Sequence, residues 1–169
     1  MITEREIVFR TRWFQVEAKK TNADAEPFYS LKVPDYVALI PYTSDDRVVL
    51  VRQFRPAVEE MSLEFPSGLV DGGETPEDTA RRELEEEAGY RVGGMEHLGT
   101  LWTDTGRLQN RMWVYRGFDA VPVAQARPEF ETILLDRREL DQAVVEGRFK
   151  LALHVAMLAL ADRQERKSP

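Results

Sequence analysis

Residues 68–90 read GLVDGGETPEDTARRELEEEAGY, and the change of pattern inside this stretch decides how the chain is read. Its first part, read together with the residue before it as a loop from Ser67 to Glu74, holds three glycines and an aspartate. Such a loop curves tightly and exposes carbonyls and amides to a ligand. At Thr75 the period changes. Thr75 or its neighbour can cap a helix, Pro76 suits the first turn, and acidic residues follow. Ala80, Leu84 and Ala88 recur at four-residue spacing as one apolar stripe, and Gly89 is a suitable stop. The spacing predicts a helix over 76–88.

On that helix Glu83, Glu86 and Glu87 stand at i, i+3 and i+4, so they share a face. Like charges so placed destabilise a helix by roughly 0.2–0.5 kcal/mol per pair, and Glu77 and Glu85 add to the field. Something should compensate. A solvated face balanced by Arg81 and Arg82 is one reading. A glycine loop feeding an acidic helix is also a site for a hard cation. Carboxylates and a backbone carbonyl would then share octahedral Mg²⁺ or Mn²⁺ with water and a substrate phosphate. Zinc fits less well, because no histidine lies nearby.

Outward from this stretch, β-prone runs at 7–10, 13–18, 28–33, 36–42 and 48–53 predict strands, with a turn at Asn22-Ala23-Asp24. The last two, joined through Ser44-Asp45-Asp46, read as a hairpin. Strands are expected again at 96–103, 111–118 and 131–135, then helices at 137–146 and 151–163 divided by Gly147. Only Arg163 to Pro169 reads as a tail. Strands interleaved with one helix and closed by two more suggest a mixed sheet covered on both faces.

Composition narrows the function. At 169 residues and 43% hydrophobic, the chain can bury one substantial core. A net charge of −7 argues against nucleic acid, whose phosphates are bound by clustered Lys and Arg. The absence of cysteine excludes disulfides, thiolate zinc and thiol catalysis. Met1 to Arg5 lacks the apolar stretch of a signal peptide, and the run Leu151 to Ala161 is too short to span a bilayer. A soluble, cytoplasmic protein with no membrane partner is expected.

Read in full, the decisive stretch is Gly68, five residues, Glu74, seven residues, Arg82-Glu83-Leu84, one residue, Glu86-Glu87, one residue, Gly89-Tyr90. This resembles the signature of the Nudix hydrolase family. All seven fixed positions are met without a gap, which ordinary residue frequencies would give in about one chain per million. Tyr90 departs from the family's aliphatic preference at a position that serves packing. Val51 to Pro56 and Leu63 to Gly68 are similar to segments preceding the box in the branch that acts on ADP-ribose and other nucleoside-diphosphate sugars. Glu139 through Gly147 and the final helix resemble that branch as well.

The resemblance implies an α/β fold: a Nudix-type α/β/α sandwich with a mixed sheet and a small amino-terminal β-strand extension. It implies a single domain over 1–169, with 36–165 as the core and 1–35 as an extension that builds a homodimer. It implies hydrolysis of the diphosphate bridge of a nucleoside-diphosphate sugar with two or three Mg²⁺ or Mn²⁺ ions. Nucleoside triphosphates or dinucleoside polyphosphates are alternative substrates, and a non-catalytic binding module is a third reading.

Carried over residue by residue, Glu83, Glu86 and Glu87 are metal ligands, joined by the Ser67 carbonyl, while Glu74 and Arg82 are an ion pair steadying the loop. The general base is Glu129 or Glu131 on a loop after the box, or Glu86 itself. Arg55, Arg52, Glu64, Phe28 and Arg107 are candidate substrate contacts, with Arg111 an alternative to Arg107. Trp13, Phe14 and Tyr29 are further aromatics that could stack on a base. The loop Thr103 to Arg107 lacks a proline common in the ADP-ribose group, which leaves a broader range of diphosphate sugars open. His97 and His154 read as structural.

Overall fold

The computed structural model describes residues 1–166. The first three strands are β1 (Glu4–Arg10), β2 (Gln15–Lys20) and β3 (Phe28–Lys32), which form an antiparallel sheet of their own. They are followed by β4 (Tyr36–Pro41), β5 (Val48–Arg55), β6 (Glu60–Glu64) and β7 (Ser67–Leu69). Helix α1 (Pro76–Glu83) runs directly into a π-helical turn, Leu84–Ala88. Then come β8 (Tyr90–Arg91), β9 (Gly94–Trp102), β10 (Arg111–Phe118), β11 (Val121–Pro122) and β12 (Glu131–Leu135). Helices α2 (Arg137–Val145) and α3 (Ala152–Glu165) close the chain.

The core is a sandwich because β4 and β5 are buried on both faces, as their unbroken apolar runs require. Val37, Leu39, Val49 and Val51 pack with Ala80, Leu84 and Ala88 on the α1 side. The alternate residues Ala38, Ile40, Val48 and Leu50 meet Leu140, Ala143, Met157 and Leu158 of the last two helices. Fully burying a side chain such as Leu84 contributes about 1.5–3 kcal/mol. The sheet β7-β4-β10-β9 is mixed, since β4 and β10 run parallel while the other pairs are antiparallel.

The expected hairpin of β4 and β5 does not form. One edge of β4 bonds to β7 and the other to β10, so β5 pairs instead with β6 and β12 in a second sheet. Only the bridge Tyr42–Val48 joins the two at the turn. The loop expected from Ser67 begins at Val70, because Ser67 to Leu69 is drawn into the ladder of β4. The expected tail is helical through Glu165, which Arg116 holds at 2.9 Å. Residues 167–169 lie outside the described residues.

The helix of the decisive stretch starts as expected: the Thr75 hydroxyl accepts from the Asp78 amide at 3.1 Å. Its last turn is π-helical rather than α-helical. Gly89 ends it at φ +73°, where a side chain is disfavoured and a Cβ would lie 2.4 Å from the Ala124 carbonyl oxygen.

Candidate active site

Strand β7 brings the loop onto α1, and the two meet through the glutamates. A Cβ on Gly68 would fall 2.2 Å from Glu83 Oε1, so the first glycine of the stretch is the space that this carboxylate fills. One residue earlier, the Ser67 amide donates to Glu87 Oε2 at 2.9 Å. Glu87 is 6% exposed. Burial pushes its carboxyl up to about 8, with Glu83 and Glu64 acting in the same direction against the Ser67 amide. Burial also raises Glu83, despite the guanidinium of Arg82.

Arg82 sits at the centre of these acids. It donates to Glu74 through Nε and Nη2, each at 3.1 Å, and through Nη1 to Glu83 at 2.9 Å and Glu86 at 3.0 Å. Glu74 is further fixed by the Thr79 hydroxyl at 2.9 Å. The expected pair of Glu74 and Arg82 is therefore part of a larger network that reaches two of the candidate ligands. The other oxygen of Glu86 pairs with Arg127 at 2.9 Å.

The π turn alters the spacing on which a shared acidic face rested. Among the described residues no three His, Cys, Asp or Glu side chains converge as a ready cage, since Arg82 and Arg127 lie among them. The donor set nonetheless fits a hard divalent cation. It is all oxygen, its two most enclosed carboxylates disfavour their own charge, and the buried Ser67 Oγ has no hydrogen-bond partner.

Beside these acids lies a cleft of about 660 Å³ lined by Tyr36, Arg55, Glu64, Leu69, Thr103 and Asn110, among others. Arg55 forms a two-pronged bond to Glu64, at 2.8 and 2.5 Å. Burial alone would raise the Glu64 carboxyl, but the Arg55 fork brings it below the usual range. Behind the cleft the Phe65 amide donates to His154 Nδ1 at 3.0 Å, so Nε2 carries the proton and donates to the Tyr36 hydroxyl at 2.9 Å. Tyr36 and Asn110 carried no signal in the sequence, because local spacing shows neither the pairing of residues 36 and 154 nor the bond from the Asn110 amide to the Pro34 carbonyl, and Thr103 was read only as the start of the 103–107 loop.

His154 is structural, as expected, and it is fully buried. Burial pushes its imidazole down to about 4, against the pull of Glu64. An unfolded histidine near 6.5 binds a proton that the native one refuses, so this stability is present above pH 6.5 and lost as pH falls toward 4. The loss amounts to about 3 kcal/mol. Glu87, pushed up to about 8, shifts stability the other way over the same range, so the contribution of His154 is read as the difference between wild type and His154→Gln in urea denaturation at pH 7 and pH 4, which should favour the variant at the lower pH.

The remaining candidates fall elsewhere. Glu131 and Arg52 face each other across β12 and β5, bonded at 2.8 Å, and line a separate depression with Met61 and Ile133. The structure therefore does not bring them into the cleft. Phe28 is 48% exposed on β3, with the Arg107 guanidinium 5.2 Å above its ring. Arg111 lies over Trp102 instead, at 5.4 Å. Glu129 is exposed in a turn two residues beyond Arg127.

Comparison with known proteins finds relatives in sequence and in fold. An ADP-ribose pyrophosphatase of Bacillus subtilis is 29% identical over 85% of this chain and 71% of its own length. A methanol dehydrogenase activator of Bacillus methanolicus is 35% identical over 66% of this chain and 61% of its own length. The crystal structure of an ADP compounds hydrolase superposes with a TM-score of 0.82 at 24% identity, over 98% of this chain and 94% of that one, and so shares the fold. The NUDIX domain model matches residues 32–163, and the chain belongs to the Nudix family.

Proposed function

We propose that this protein hydrolyses the diphosphate bridge of a nucleoside-diphosphate sugar, ADP-ribose or a similar compound, to a nucleoside monophosphate and a sugar phosphate. The observation that carries this reading is the assembly of the whole box at one place: Glu83 over Gly68, Glu87 on the Ser67 amide and Arg82 forked onto Glu74. The name of the Bacillus subtilis relative supports the substrate class.

Glu83, Glu86 and Glu87, with the Ser67 carbonyl, would hold Mg²⁺ or Mn²⁺, two or three ions in all. Such ions polarise phosphoryl oxygens and lower the pKa of attacking water. Arg82 and Glu74 keep the ligands in register. Glu129 takes the proton as the water oxygen bonds to phosphorus and the bridging P–O bond breaks. Exposure leaves Glu129 free to approach, whereas Glu131 is bound to Arg52 and both oxygens of Glu86 hold guanidinium groups. Arg55 faces the diphosphate from the cleft, and Phe28 with Arg107 receives the base.

The cations of the cleft favour a diphosphate sugar over a triphosphate. Arg55 is paired with Glu64 and Lys150 with Glu60, which leaves little unbalanced positive charge for a γ-phosphate. We read the chain as one cytoplasmic domain that forms a homodimer through residues 1–35. All seven residues of β1 are exposed, including Ile7, Val8 and Phe9, which suits a strand covered by a second copy.

Incubation with Mg²⁺ and ADP-ribose, GDP-mannose, nucleoside triphosphates and diadenosine polyphosphates should give fastest turnover on a diphosphate sugar. Preference for a triphosphate would establish the alternative substrate class. Turnover of none of them would leave a binding module.

A further inference from the structure

Glu86 is gripped from two sides, and the two grips differ. Arg82 on Oε2 is anchored by Glu74 and Glu83 as well. Arg127 on Oε1 makes no other salt bridge among the described residues, and its side chain is 53% exposed. A cation that takes Glu86 as a ligand therefore displaces Arg127 at lower cost than Arg82.

Arg127 also belongs to a segment fastened along the end of the π turn. Its amide donates to the Glu86 carbonyl at 3.0 Å, and the Val123 and Ala124 amides donate to the Gly89 carbonyl at 2.8 and 3.1 Å. The Thr132 hydroxyl caps the Ala88 carbonyl at 3.0 Å. Between these fixed ends lies the exposed turn with Glu129, and the ion pair of Arg127 with Glu86 is a side-chain tie at its start.

We propose that Arg127 competes with the divalent cation for Glu86 and thereby couples cation binding to the position of the 123–130 segment. Arg127 is on this account a positioning residue, and the inference rests on the metal assignment of Glu86 made above. Removal of an exposed competing charge should tighten cation binding by about two- to fivefold.

The test uses Mn²⁺ binding followed by electron paramagnetic resonance at low ionic strength, with no substrate present. Arg127→Ala should bind Mn²⁺ about two- to fivefold more tightly than the wild type. Arg91→Ala makes the same charge change, but Arg91 pairs with Glu85, and its affinity should stay within about twofold of wild type. The chain has no cysteine, so a nitroxide on Gln125→Cys reports the segment alone. Mn²⁺ should broaden or shift the label's spectrum relative to Mg²⁺ through paramagnetism in any background. The mobility change is therefore read with Mg²⁺, and it should appear with Arg127 present and vanish in Arg127→Ala.

Unchanged Mn²⁺ affinity in Arg127→Ala, with wild-type binding intact, would overturn the competition and leave the metal assignment standing. Equal tightening in Arg91→Ala without a Mg²⁺-dependent label response would reduce Arg127 to a general electrostatic effect and overturn the coupling. Absence of Mn²⁺ binding to the wild type would overturn the metal assignment itself.

Discussion

Glu87→Gln should lower turnover by about a hundredfold or more while the folded protein keeps its melting temperature or gains slightly. Loss of a group that merely supports a metal ligand costs 10–100-fold, and a direct ligand should cost at least the upper end of about that range. Stability behaves differently because the carboxylate is expensive where it sits. Glu87 is buried beside Glu83 and Glu64, and burial disfavours its charge. Glutamine has the same shape, and its amide oxygen can still accept from the Ser67 amide now at 2.9 Å from the carboxylate. Steady-state kinetics with Mg²⁺ and with Mn²⁺, together with calorimetry, separate the two effects. A wild-type rate would remove Glu87 from the ligand set, and a large fall in melting temperature would give it a structural role instead.

What could be read in the sequence is what depends on near neighbours along the chain. The start of α1 follows from Thr75 and Pro76, its end from Gly89, and the inward stripe from Ala80, Leu84 and Ala88. The pair of Arg82 and Glu74 was legible through the family signature, and the structure forms it. The π turn was not, because a four-residue apolar stripe looks the same whether its last turn is α or π. The hairpin of β4 and β5 failed for a different reason. Turn residues between two apolar runs cannot show that both edges of β4 are claimed, by β10 more than 70 residues later and by β7. Tyr36 and His154 meet only once α3 lies behind β4, so their bond at 2.9 Å left no mark on any local pattern. Asn110 of the cleft was hidden on the same grounds, whereas Arg55 and Glu64 were legible through the resemblance and the box carboxylates through their spacing, since four of the seven fixed positions fall within one short helical segment.

Gly68→Ala should leave the fold standing and remove most of the activity. The new Cβ would lie 2.2 Å from Glu83 Oε1 and 2.4 Å from its Cδ, which is too close for both to stay. The obstacle is a side chain, Cγ included at 2.9 Å, so Glu83 can swing away by turning about χ1 at a cost to stability of about 1–2 kcal/mol. The contact at Gly89 differs in kind, for there the obstacle is the Ala124 backbone, which has no rotamer to change. Relief at Gly68 is cheap for the fold and costly for the chemistry. Glu83 moves off its position among Arg82, Glu87 and the Ser67 loop, and a displacement of about 1 Å at a reacting centre can cost on the order of a hundredfold in rate. Kinetics and chemical denaturation measured on the same preparation decide the matter. Activity near wild type would mean that Glu83 reaches the site from another rotamer, and the first glycine of the box would then serve the β7 ladder rather than the carboxylate. Loss of rate with denaturation unchanged would show that this glycine is kept for the space above it.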